Sequence, residues 1–229
     1  MNKRLIMTTR GNNETRTRIL DAAEAVFSEC GFDGASIRAI VQLAGVNLAT
    51  IYYYFRSKEE LLEAVFHRRL APIKEAQLGL LQQAKEQYVN KAIPVEVILQ
   101  ALLKPPLQVV MAKNEDEQLK VRKLLGRVIS EPSEWLQQML ILQYKEVREN
   151  FVKAFQSSLS HLPLTDLMWR LEFVWGGLAM ILCNPTRILR VTNGLCDPRD
   201  TKAVLDQMTA FFAAGLKAPA ASASTQIHE

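Results

Sequence analysis

Residues 36–58 read SIRAIVQLAGVNLATIYYYFRSK, and the reading of this stretch decides the fold. Ile37, Ile40, Val41 and Ala44 recur at i, i+3, i+4 and i+7, the spacing of one helical face. Ser36 stands before them as an N-cap. Gly45 then permits a backbone conformation closed to most residues, small Ala44 lets two helices approach, and Val46 follows as an apolar plug. Stripe, Ala-Gly turn and plug together are the pattern of a helix-turn-helix.

The helix after the turn runs from Asn47 to Phe55. With Ile51 set at zero and steps of roughly 100° per residue, Tyr54 and Phe55 flank Ile51 and face the core. Ala49, Thr50, Tyr52 and Tyr53 occupy the rest of the circumference. Two tyrosines and two small residues make a poor solvent face and a good groove-facing one. The hydroxyls of Thr50, Tyr52 and Tyr53 can donate to phosphates, while Ala49 and the Thr50 methyl can touch thymine methyls.

Upstream, Ile19, Ala22, Ala23, Val26, Phe27 and Cys30 form one apolar face of a helix predicted over 14–30, with Gly31 placed to end it and Phe32 free to fold back on the core. Asp33-Gly34 is a turn. Downstream, Ser57 and Glu60 make a capping box, so a new helix begins there with Leu61, Leu62, Val65 and Phe66. Lys58 in its first turn can reach a phosphate. Pro72 either kinks this helix or ends it.

The whole chain of 229 residues is 48% hydrophobic, enough for a packed core, and carries a formal charge of +4. Lys3, Arg4, Arg10, Arg16 and Arg18 against Glu14 alone make residues 1–13 and their neighbours a basic start, read equally well as a phosphate-attracting arm or as a solvated, flexible one. Cys30, Cys183 and Cys196 form no C-x-x-C pair, which argues for a reducing, cytoplasmic setting and against a disulfide framework or a structural zinc. Leu5-Ile6-Met7 is too short for the apolar core of a signal peptide, and Leu171–Cys183 falls short of a membrane span.

Residues 15–62 resemble the DNA-binding domain of the TetR family of bacterial transcriptional regulators. The resemblance is carried by ILDAAEAVFSECGF, SIRAIVQLAGVNLATIYYYF and SKEELLEAV. It implies an all-α protein: a three-helix DNA-binding domain, a linking helix, and a larger helical domain that dimerises and binds an inducer. By motif position it implies DNA contacts at Ser36, Arg38, Ala49, Thr50, Tyr52, Tyr53 and Lys58. The helix departs from a strong reader in one respect. Its outer face lacks an Arg, Gln or Asn to grip a base edge twice, unless Asn47 reaches in; each such pair discriminates by about 1–3 kcal/mol. Arg38, methyl contacts and DNA shape are then expected to carry much of the specificity.

Beyond residue 90 more helices follow. Val95, Ile98, Leu99 and Leu102 form a stripe broken by Pro105-Pro106, Leu119–Ile129 makes another helix, and 134–159 reads as one long one. Asp166–Cys183 is apolar nearly all round and demands burial on several sides, with Gly176-Gly177 allowing close approach. Val204, Leu205, Met208, Phe211 and Phe212 share the stripe of a last helix. Neither of these two helices can hide alone, so a homodimer through both is expected, as suits a reader of half-sites about 34 Å apart. The resulting organisation is an arm at 1–13, a helix-turn-helix domain at 14–56, a helical ligand-binding and dimerisation domain at 57–216, and a disordered tail at 217–229.

The histidines have no metal-ligand spacing, and no nucleophile, phosphate-loop or dinucleotide motif is present, so neither an enzyme nor a metal or cofactor site is expected. His67, Arg122, Arg127, Trp135, Met139 and Trp175 are candidates for contact with a small hydrophobic effector. Arg122, Arg127 and Arg170 can equally pair with Glu131, Glu146 or Glu172. The later part of the chain (EWLQQMLILQYKEVRENFVKAF, LPLTDLMWRLEFVWGGLAMIL, FFAAGL) is similar to the branch of the family that answers long-chain fatty acids or acyl-CoA. The rival readings are a DNA-binding regulator without a ligand, and a helical enzyme or carrier. Partners expected are an operator duplex, a second copy and the effector, with no membrane.

Overall fold

The computed structural model describes residues 3–111, 115–130 and 133–221, with side chains at 12–108, 118–126 and 133–221. Among them the regular structure is all helical, with no strand. The helices are α1 (Lys3–Gly34), α2 (Ile37–Ala44), α3 (Leu48–Tyr54), α4 (Lys58–Gln87), α5 (Val95–Met111), α6 (Glu115–Ser130), α7 (Glu134–Gln143), α8 (Lys145–Ser158), α9 (Leu164–Cys183), α10 (Pro185–Val191) and α11 (Thr201–Lys217). They form two compact units. The first runs to Pro72 and takes in α6 and α7 as far as Leu140; the second holds the remainder.

In the first unit Ile19, Ala23, Phe27, Ile40, Ile51, Phe55, Leu61, Val65 and Phe66 make the core, each essentially inaccessible to solvent. Ile19, Ala22, Ala23 and Phe27 are buried as the periodicity predicts, whereas Val26 is half-buried, Cys30 is exposed, and Leu20, Glu24 and Ser28 are buried off the expected stripe. α1 begins at Lys3, within the segment expected as a flexible arm. Its path breaks at Gly31, where φ is 72° and ψ −177°, a region open essentially to glycine alone. The break turns Phe32 back toward Phe27, with ring centroids 6.2 Å apart.

α4 does not end at Pro72 but passes through it. The ring removes the N–H that would close a bond to the Arg68 carbonyl, and the turn just before it is held instead by side chains. Glu24 of α1, 1% exposed, accepts from Arg68 Nη2 at 2.6 Å and from Arg69 Nε at 2.6 Å. Arg68 Nη1 also reaches Asp21 at 2.6 Å.

The expected domain boundary at residue 57 differs from the observed division. α6 packs on α1, burying Val121 and Leu124, and Lys123 pairs with Glu29 at 2.5 Å. A segment far along the chain thus joins the first unit, a long-range pairing that local periodicity does not carry.

In the second unit α5 is the central element and packs against α8, α9 and α11. It runs through Pro105-Pro106 rather than stopping there. Those prolines withhold the N–H groups due to the Ala101 and Leu102 carbonyls. Gln77, fully buried on α4, supplies one replacement: its Nε2 donates to the Leu102 carbonyl at 2.7 Å. The long helix expected over 134–159 is two, α7 and α8, broken at Tyr144. There the Gln143 carbonyl accepts from Lys74 Nζ at 3.0 Å, a side-chain donor in place of a helical one.

α11 lies on α9 with Phe212 over Gly177, where a Cβ would come within 2.6 Å of the ring. Gly177 therefore admits a side chain, not a second backbone. Phe211, expected on the buried stripe, points outward at 76% exposure. On α9, Trp169, Phe173 and Met180 are also exposed, so the burial expected on all sides is absent from one face of the single chain. Arg170 caps α11: its guanidinium donates to the carbonyls of Gly215, Leu216, Ala218 and Pro219 at 2.6–3.0 Å. None of the three acidic partners considered for it is used in these bonds. The Ala221 N–H donates to Asp166 at 2.8 Å, so the start of the expected tail is tied down; residues 222–229 lie outside those described.

Candidate nucleic-acid interface

Three caps fix the short helices that bear this surface. The Ala39 N–H donates to Ser36 Oγ at 3.1 Å, opening α2. Gly45 closes it at φ 61°, ψ 41°, the left-handed conformation that glycine adopts without cost. Asn47 then opens α3, its Oδ1 accepting from the Thr50 N–H at 2.8 Å. With both ends of the turn pinned, α3 can rotate little about its own axis.

That orientation separates its residues. Ile51 and Phe55 are 1% and 2% exposed, whereas Tyr52 and Tyr53 are 51% and 76% exposed. Ala49 is exposed, Thr50 and Tyr54 half-buried. Tyr54 donates its hydroxyl to the Asn12 carbonyl at 3.1 Å, and Tyr53 meets the Tyr54 ring edge-on at 5.1 Å. Arg38 on α2 is exposed on the same unit. An open groove lined by Thr15, Arg18, Asn47, Ala49, Thr50 and Tyr53 runs alongside. Thr15 and Arg18 escaped the residue-by-residue reading, although the basic run that contains Arg18 was its trace in the sequence. Leu43 and Leu48, 61% and 46% exposed, also escaped it; they add apolar surface of the kind that meets thymine methyls.

Three side chains are occupied differently from expectation. Asn47 Oδ1 also accepts from the Thr50 hydroxyl at 2.8 Å. The acceptor half of a two-bond grip on adenine is thus spent on the cap, and the hydroxyl proton of Thr50 is spent on Asn47 rather than free for a phosphate. Lys58, half-buried, turns its ammonium onto the Phe32 ring at 4.5 Å from the centroid and donates to the Asp33 carbonyl at 3.4 Å. Its helix is nonetheless capped as the sequence predicts. The Glu60 N–H donates to Ser57 Oγ at 3.1 Å, and the Glu60 carboxylate accepts from the Arg56 N–H at 2.9 Å, one residue ahead of the N-cap. The first-turn backbone N–H of Glu59, and after it the Ser57 hydroxyl, hold the Glu59 carboxyl below its usual range.

The candidate effector residues divide between the two units. Trp135 stacks on Phe32 with centroids 5.2 Å apart, Met139 is buried, His67 is exposed and Arg122 half-buried; all four belong to the first unit. Arg122 donates to Gln118 at 2.8 Å, and burial lowers its pKa. The side chain of Arg127 lies outside the described residues. Trp175 alone belongs to the second unit, meeting Tyr144 edge-on at 5.8 Å. Burial pushes the Tyr144 phenol up to about 12. Buried polar groups that sequence reading missed in that unit are Gln77 and Thr209. Among the described residues no cluster has the composition of a metal site, and no helix is long and apolar enough to cross a membrane.

Residues 19–65 match the family described as bacterial regulatory proteins, tetR family. Residues 100–215 match the tetracyclin repressor-like C-terminal domain. The chain is 33% identical over 115 residues to the HTH-type transcriptional regulator UidR of Escherichia coli, covering 44% of this chain and 58% of that protein. With the HTH-type transcriptional repressor BepR of Brucella suis it shares 28% over 144 residues, covering 62% and 63%. The chain thus spans less than two thirds of these curated relatives. In fold it is similar to the fatty acid degradation regulator FadR of Bacillus halodurans, with a TM-score of 0.59 at 19% identity, over 89% of this chain and 96% of that one. It is similar also to FadR of Bacillus subtilis solved with stearoyl-CoA, with a TM-score of 0.54 at 16% identity, over 87% and 98%. Both matched regions lie on the observed helices, the first on the capped helix-turn-helix and the second on α5 to α11, and the chain belongs to the TetR family of DNA-binding transcriptional regulators.

Proposed function

We propose that the protein is a homodimeric repressor that leaves its palindromic operator when a small hydrophobic molecule occupies the second unit. The observation that carries the DNA half is the division of α3, with Ile51 and Phe55 buried and Tyr52 and Tyr53 exposed, on the unit that also exposes Arg38. Tyrosine and arginine donors meet phosphates, and Ala49, Leu43 and Leu48 meet thymine methyls. With Asn47 committed to its cap, sequence preference comes from Arg38 and from DNA shape.

Dimerisation is supported by the uncovered face of the second unit. Trp169, Phe173 and Met180 lie at i, i+4 and i+11 on α9, and Phe211 adds to them from α11. A contiguous apolar face of this kind marks an interaction surface, and pairing two copies through α9 and α11 gives a four-helix interface. Sedimentation of the purified protein tests it: a dimer is expected, and a monomer for the double variant Phe173→Glu, Phe211→Glu. A wild-type monomer contradicts this reading.

The effector is a long-chain fatty acid, its acyl-CoA or another hydrophobic molecule. Support comes from the apolar helices around α5 and from the fold shared with the B. subtilis regulator that was solved with stearoyl-CoA. To turn a 1:99 balance into 99:1, the ligand must favour the released state by about 5.5 kcal/mol. Stearoyl-CoA is expected to raise the thermal midpoint and weaken operator binding, with free CoA inactive. If neither quantity moves across chain lengths, the lipid assignment fails and the DNA assignment stands.

A further inference from the structure

The first-turn cation of α4 lies on an aromatic ring. Lys58 Nζ stands 4.5 Å from the centroid of Phe32 and bonds the Asp33 carbonyl at 3.4 Å. Two features seat the ring there. Gly31, at φ 72° and ψ −177°, swings Phe32 off the path of α1. Trp135 of α7 then stacks on it, with centroids 5.2 Å apart and planes 29° apart. The face of an aromatic ring attracts an ammonium through its quadrupole, so the ring competes with phosphate for the same charge.

We propose that Phe32, seated by Trp135, stores the Lys58 ammonium away from DNA, and that Lys58 becomes a phosphate contact only when the ring releases it. The inference rests on the reading of Lys58 as a DNA contact. It makes Phe32 and Trp135 positioning residues for that contact, and it gives α7, outside the DNA-reading helices, a hold on one of their cations. An exposed ring–ammonium contact weights the stored state by about two- to fivefold.

The experiment measures full-chain binding to a random-sequence duplex over a salt series, where each phosphate contact adds about 0.9 to the slope of log affinity against log salt. The proteins are the wild type, Phe32→Leu, Lys58→Gln and the double variant. Storage predicts that Phe32→Leu binds about threefold tighter, with a slope steeper by a part of one contact. It predicts that Lys58→Gln costs more affinity in the Phe32→Leu background than in the wild type. An equal loss in both backgrounds overturns storage and leaves Lys58 an ordinary phosphate contact. No change of slope in either background removes the contact role itself. Thermal melts verify folding, and should Phe32→Leu not fold, Trp135→Leu carries the same comparison: a tighter, steeper binding supports storage and an unchanged one overturns it.

Discussion

Arg68 Nη2 lies 2.6 Å from Glu24 Oε2, joining the fourth helix to the first across a carboxylate that is only 2% exposed at its side chain. Arg69 closes on the other oxygen at 2.5 Å. Removing the carboxylate takes an ion-pair partner from two arginines that are 28% and 19% exposed, while Asp21 still holds Arg68. Breaking a fully buried pair costs about 3–5 kcal/mol; with arginines still partly in water, Glu24→Ala is expected to cost about 2–4 kcal/mol. Urea titration of the purified protein measures it. A loss under about 1 kcal/mol would show that the pair is solvated like a surface one.

Gln77 replaces a backbone donor that Pro106 cannot supply, at 2.7 Å to the Leu102 carbonyl. Gln77→Leu should therefore cost about 1–3 kcal/mol, the range for a buried carbonyl left without a partner. In a Pro106→Ala background residue 106 again carries an N–H, and the same substitution should cost less. A double-mutant cycle by denaturant unfolding gives the coupling, and strict additivity would refute it.

Gly177 lies under Phe212, with the position of a Cβ 2.6 Å from Cζ. Gly177→Ala is expected to destabilise by about 1–3 kcal/mol through overpacking, and Phe212→Leu should relieve most of that. Gly176, where a Cβ meets open space, should tolerate alanine and gain slightly from helix propensity, by up to about 1 kcal/mol. If both alanines behave alike, the close approach is not real.

The Tyr144 phenol is raised from 10.0 to about 12 by burial. A folded-state value above the unfolded one means that the unfolded chain loses this proton first. Its contribution is whole below pH 10 and is lost between about pH 10 and 12. Tyr144→Phe should flatten that part of the stability–pH curve. An identical alkaline decline in both proteins would place the phenol in water.

The elements carrying short-range signals were legible in the sequence. Ser36, Gly45 and Ser57 announce their caps and turn by residue type, and the burial of Ile51 and Phe55 follows from angle alone. What escaped depends on partners distant in the chain. Pro105 and Pro106 read as breaks and Pro72 as a kink or an end, yet their helices continue; for the Leu102 carbonyl Gln77 supplies the missing donor. The short helix α10 had only Pro185 at its first position as a signal. That α6 and the start of α7, which carry Arg122 and Trp135, return to the first unit is a long-range pairing that local periodicity does not carry. Asn47 was read as a possible base contact, and only the geometry shows its oxygen already taken twice by Thr50.

We propose that α3 and Arg38 together read DNA sequence. The direct measurement is fluorescence anisotropy with a palindromic duplex from beside the protein's own coding sequence and a random duplex of equal length, at fixed physiological salt. The palindrome is expected to be preferred by at least about a thousandfold. Arg38→Ala and Tyr53→Ala are each expected to weaken that binding while melting like the wild type. Equal affinity for the two duplexes, or operator binding untouched by both substitutions, would contradict it.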